Sequence, residues 1–155
     1  MDPLARRSSA CALALLLAAG CSQGPSYERF LTTTARPRPG YARILVYTPQ
    51  RADVVGYSPT VTVNGEAAGV SRSGSFFYVD REPGIYQLDV ASRPGLAAFG
   101  NQGESEPARI ALALGRTACV RIDIKEVSGI VAARLRAIDP ADAERTLREL
   151  HYAGD

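Results

Sequence analysis

The chain has 155 residues, 18 basic and 16 acidic side chains, one histidine and three cysteines. So balanced a charge excludes a nucleic-acid partner recognised through a basic surface, and no basic stripe with interleaved aromatics appears in the sequence. One histidine leaves little room for a Ser-His-Asp or Cys-His arrangement, which would have to use His151, four residues from the end.

The first segment reads as an export signal. Arg6 and Arg7 form a positive start, opposed only by Asp2. Ala10 to Ala19 is apolar, about ten residues long, within the 7–15 of a signal core and short of the ~20 that span a bilayer. Leu17-Ala18-Ala19-Gly20-Cys21 closes it. This pattern resembles the lipobox of bacterial lipoproteins, although Leu17 stands one place further from the cysteine than the commonest form has it. The resemblance implies cleavage between Gly20 and Cys21, acylation of Cys21 and attachment to a membrane through lipid. Ser22 at the next position implies the outer membrane, with the domain facing the periplasm. Single acyl chains anchor marginally, and the three typical of lipoproteins anchor durably. Cys11 leaves with the signal and Cys21 is acylated, so Cys119 has no intrachain disulfide partner.

The expected division is a signal over 1–20, a lipidated flexible tether over 21–40 and a β-domain over 41–155. Gly24-Pro25, Thr32-Thr33-Thr34 and Pro37-Arg38-Pro39-Gly40 favour extended backbone in the tether. Tyr27, Phe30 and Leu31 interrupt it and are candidates for docking on the domain.

Strands follow. Arg43 to Tyr47 is β-branched and aromatic and stops at Pro49. Thr60 to Val63 runs into Asn64-Gly65, a type I′ turn signal, so Glu66 to Val70 returns antiparallel. Phe76 to Val79 is a strand. Ile85 to Ala91 alternates, with Tyr86, Leu88 and Val90 assigned to the core. Ser92 to Pro107 is a long loop rich in Gly and Pro, where recognition residues concentrate. Arg109 to Leu114, Thr117 to Ile124 and Ile130 to Ala137 complete the strands, with Ala118, Val120, Ile122 and Ile124 inward and Cys119 on the opposite face. Asp139 caps a helix with Pro140 at its first position, and Ala143, Leu147 and Leu150 share the face that packs on the sheet. Seven to eight short strands plus one C-terminal helix predict a mainly β fold, an antiparallel β-sandwich, with an open barrel as the alternative.

Several of these motifs occur in one order: Arg43-Ile44-Leu45-Val46-Tyr47, Val61-Thr62-Val63-Asn64-Gly65, Ser75-Phe76-Phe77-Tyr78, Pro83-Gly84-Ile85-Tyr86, and Gly115-Arg116-Thr117 through Val120-Arg121. That order is similar to bacterial lipoproteins of the domain-of-unknown-function 2846 family, over roughly residues 38–150. The stretch from Val61 to Val90 also resembles surface β-domains with a Pro-Glu-Gly-Ala signature. The resemblance implies a fold and no particular activity. The chain departs from it at Cys119 and in the loop after Ala91.

No catalytic site, metal site or cofactor site is expected. No His/Cys pair has zinc spacing, and no Gly-rich loop opens a helix after a strand. Asp80 and Glu82 flank Arg81 at a turn, and Glu104 and Glu106 lie in the long loop. Both pairs read as solvated turn charges rather than a calcium cage. Phe76, Phe77 and Tyr78 must place rings on both faces of their strand, so one side is either covered by the helix or free as an interaction patch. The function these features imply is a non-catalytic, membrane-anchored module that binds an envelope protein or polymer. A small-ligand carrier is the alternative, and a hydrolase using dispersed carboxylates the least favoured.

Overall fold

The computed structural model describes residues 24–34, 36–51, 57–91, 101–102, 105–128 and 130–154. In chain order the elements are α1 (Tyr27–Thr34), β1 (Ala42–Thr48), β2 (Thr60–Val63), β3 (Glu66–Val70), β4 (Ser75–Arg81), β5 (Gly84–Ala91), β6 (Asn101–Gln102), β7 (Ala108–Leu112), β8 (Thr117–Val127), β9 (Ile130–Ile138), α2 (Pro140–Leu147) and β10 (His151–Tyr152). Among the described residues the strands form two sheets, ordered β10-β4-β1-β8-β9-β6 and β3-β2-β5-β7. The fold is mainly β, a sandwich with a C-terminal helix, as the strand and turn pattern implies.

Alternation along each strand explains the layer between the sheets. Ile44 and Val46 of β1, Phe77 of β4, and Val120, Ile122 and Ile124 of β8 meet Val61, Val63, Leu88, Val90, Ile110 and Leu112 from the smaller sheet. Fully burying such a side chain stabilises the fold by about 1.5–3 kcal/mol. The Asn64-Gly65 turn has φ of 50° and 84° at its two residues, the left-handed pair that a type I′ turn requires. Asn64 also ties the turn to β5: its Oδ1 accepts from the Gln87 amide at 2.9 Å.

The larger sheet is mixed rather than wholly antiparallel. β1 pairs antiparallel with β4 but parallel with β8. A parallel neighbour needs a long crossover, here everything between β1 and β8. β1 lies in the middle and is buried along its whole length, because its second face is covered too. Tyr27, Phe30, Leu45, Tyr47, Phe76, Cys119, Ala143, Leu147 and Leu150 form a second core on that outer face. α2 supplies its part as the sequence implies: the Asp139 carboxylate accepts from the Ala141 amide at 2.9 Å, Pro140 starts the helix, and Ala143 and Leu147 are buried.

The expected tether is corrected over Tyr27–Thr34, where two of its three docking candidates do pack on the domain. Tyr27–Thr34 is a helix docked on the outer core, with Tyr27 and Phe30 buried. Ser26 caps it, its hydroxyl accepting from the Arg29 amide at 3.4 Å. Eight residues ending in three threonines make a poor helix alone. The aromatic contacts hold it: Phe30 meets Phe76 edge-on at 5.2 Å and Tyr78 at 5.3 Å. Ahead of the helix, Pro25 accepts a hydrogen bond from the Tyr152 amide at 2.8 Å, and Ser26 bridges to His151. A Cβ on Gly24 would collide with the Tyr152 carbonyl oxygen, so this approach requires glycine.

Candidate binding groove

The β1–β4 register sets Arg43 directly opposite Asp80. Their alternation puts both on the outer face, and both are buried. A charge there is tolerated only when paired and hydrogen-bonded, and this pair is. Arg43 Nε donates to Asp80 Oδ1 at 2.8 Å and Nη2 donates to Oδ2 at 3.1 Å, a forked contact. The third arm, Nη1, donates to the Thr34 carbonyl and so satisfies the C-terminus of α1. Asp80 Oδ2 also accepts from the Arg38 amide at 3.1 Å. The Arg43 guanidinium lies 4.0 Å from the centroid of the Tyr78 ring, a cation–π contact. One ion pair therefore joins β1, β4, the end of α1 and the turn that follows it.

Burial by itself would raise the Asp80 carboxyl. The hydrogen bonds from Arg43 and the Arg38 amide, with the positive charges of both arginines, outweigh it and hold the pKa below the ordinary carboxylate value.

Beside the pair lies an open groove of about 670 Å³ between the second half of α1 and the end of β4, lined among others by Arg36, Arg38, Arg43, Tyr78, Asp80 and Arg81. Arg36 and Arg38 are exposed and Arg81 half-buried. Arg38 Nε stands 3.8 Å from Asp80 Oδ2, and its guanidinium lies 4.4 Å from the centroid of the Tyr41 ring. Arg81 donates to the Asp80 main-chain carbonyl at 3.2 Å. Among the described residues no carboxylate pairs with Arg36 or Arg81.

The residues singled out from sequence fall in different places. Gly20 and Cys21 lie outside the described residues, as do Glu104 and most of the long loop. Phe76 is fully buried beneath α1, edge-on to Tyr27 at 5.5 Å. Phe77 is buried between the sheets. An interaction patch built from both rings is therefore corrected: neither is offered to a partner, because α1 covers one and the second sheet the other. Tyr78 is half-buried and reaches the groove. Asp80 is corrected from a solvated turn charge to the buried half of an ion pair, while Glu82 is exposed. Cys119 is buried in the outer core, and burial, with the nearby Asp139 charge, pushes its thiol up to about 11. It is placed as a packing residue and not for disulfide exchange with another chain. His151 has Nδ1 3.3 Å from the Gly24 carbonyl. No group of three or more metal-binding side chains occurs among the described residues, and no described helix is long and apolar enough to cross a membrane.

Sequence reasoning missed Arg43, Arg38, Arg36 and α1. Ser26 followed by Glu28, with Tyr27, Phe30 and Leu31 at helical spacing, was the available signal for the helix. Nothing local pairs Arg43 with a residue 37 positions away.

No protein-family model, curated protein or solved structure matches this chain.

Proposed function

We propose that this protein is a lipid-anchored component of the bacterial envelope, acylated on Cys21, in the outer membrane and facing the periplasm. Its β-domain is a non-catalytic module that binds an envelope protein or polymer, with the arginine-lined groove as the binding face. The likeness to domain-of-unknown-function 2846 lipoproteins belongs to the same proposal. The observation that carries the reading is the pinned N-terminus. Gly24 to Ser26 is fastened to β10 and α1 is docked on the sheet. Only three peptide steps separate Cys21 from Gly24, at most about 11 Å of chain. A lipid on Cys21 then holds the domain close to the bilayer in a restricted range of orientations, which suits a presenter of one binding face.

Palmitate labelling with and without globomycin tests the anchor. Label on the native protein, absent from Cys21→Ala, is the expected result; label retained in that variant overturns the anchor. Photo-crosslinkers placed at Arg36 and at the distant Ile85, which is exposed on the smaller sheet, test the face. Adducts from the first position and not the second are expected. The small-ligand alternative is favoured by the groove volume alone, and native mass spectrometry of the purified protein retaining a small molecule supports it.

A further inference from the structure

We propose that the groove beside α1 binds phosphate, carried on a sugar-sized group or a lipid headgroup. This deepens the reading of the domain as a binding module and does not depend on acylation of Cys21.

The charge is unevenly spent. Among the described residues of the lining, Asp80 is the only carboxylate, against the guanidinium groups of Arg36, Arg38, Arg43 and Arg81. Its two oxygens are already taken by Arg43 and the Arg38 amide. Arg43 is thereby neutralised and fixed as the floor, while Arg36 and Arg81 keep their charge without a carboxylate partner among the described residues. Arg38 keeps a side chain that is 66% exposed. Guanidinium forks match phosphate oxygens two at a time and give up water more readily than ammonium groups. A floor held by an ion pair, a ring and a helix-end carbonyl costs little further ordering when a ligand arrives.

Size points beyond the bare ion. About 670 Å³ lies within the ~300–1,000 Å³ of small-molecule sites and exceeds one phosphate. The Thr32 and Thr33 hydroxyls donate to the Arg29 carbonyl at 2.8 and 3.0 Å, and Thr33 also accepts from the Thr34 hydroxyl at 3.3 Å, so the Thr32 oxygen is the acceptor left for a ligand hydroxyl. The partly exposed Leu31 and the Tyr78 ring supply apolar wall. A phosphorylated saccharide and a phosphoglycerol headgroup share this chemistry.

The test uses the full-length mature protein, as the cell produces it, mixed with zwitterionic lipid discs, with the arginine Nε–Hε signals followed by NMR. Inorganic phosphate and a hexose monophosphate are titrated separately. Saturable shifts at Arg36 and Arg81, with at least about tenfold weaker binding in Arg36→Gln/Arg81→Gln, are expected, since a charge-assisted hydrogen bond contributes ~1.5–3 kcal/mol. A single Arg36→Gln variant, altered only at an exposed side chain, gives the same sign if the double variant loses stability. Discs containing phosphatidylglycerol separate the two sources. A headgroup ligand shifts the same signals before any phosphate is added, whereas a soluble ligand leaves them in place. Shifts that do not saturate, that chloride reproduces, or that persist unchanged in both variants overturn the proposal. So does silence in both arms. The palmitate result bears on none of these outcomes.

Discussion

The two faces of the larger sheet are buried by different means. Between the sheets, mostly aliphatic side chains from the strands interlock, and the inward set follows from alternation. On the outer face, four of the nine buried residues come from β-strands and the remainder from two short helices and the turn after α2. There the layer is aromatic, with Tyr27, Phe30, Phe76, Tyr78 and Tyr152 in mutual contact. It also ends in a buried charge pair. The first layer makes the domain, and the second positions the groove. A short helix whose stability comes from packing is easily displaced, so the outer layer is where local opening is expected first.

Cutting a side chain from each layer gives the largest contrast. Leu88→Ala in the inner layer costs about 2–5 kcal/mol and Phe76→Ala in the outer layer about 3–5 kcal/mol. Chemical denaturation measures both. Amide exchange separates them: Phe76→Ala exposes the amides of α1 at lower free energy than those of β8, whereas Leu88→Ala lowers both together. Equal loss in the two variants erases the distinction between the layers.

Next comes the ion pair. Asp80→Ala leaves the Arg43 charge buried without its partner and costs about 3–5 kcal/mol. Its pH dependence has a defined sign. The folded Asp80 carboxyl titrates below its unfolded value, near 3.9. Its contribution is therefore complete above that unfolded value and is lost as pH falls through the folded one. Thermal midpoints of the native protein should drop below about pH 4, and Asp80→Asn should flatten that drop. A drop of undiminished slope in Asp80→Asn assigns the acid sensitivity elsewhere.

Smaller effects sharpen the picture of α2. Asp139→Ala removes the cap on the Ala141 amide and costs about 1 kcal/mol by urea denaturation. Arg148→Ala breaks exposed contacts to Glu144 and Glu28 and should change stability by less than about 0.5 kcal/mol. The smallest change is a rate. Cys119 should react with a maleimide in the folded protein far more slowly than in urea, at neutral pH, because its thiol is buried and titrates at about 11. Equal rates would show that the cover over the outer core opens freely.

Strand positions, the Asn64-Gly65 turn, the Asp139-Pro140 helix start and the inward set Val120, Ile122 and Ile124 were legible because each depends on neighbours within a few residues. Alternation and turn chemistry act at that range. α1 was less legible. Its three apolar residues sit between prolines and threonines, and the aromatic contacts that fold it arrive from β4 and β10. Residues 92–100, which hold most of the loop assigned to recognition, lie outside the described residues.

The sequence by itself determined a sandwich-forming set of strands and a capped C-terminal helix. Only the tertiary structure decided that β1 runs parallel to β8, and that Phe76 is covered while Tyr78 borders a groove. It also set Arg43 opposite Asp80. Those outcomes depend on the register between strands distant in the chain. Register is selected by the sum of burial on both faces of a sheet, a quantity that no single segment contains.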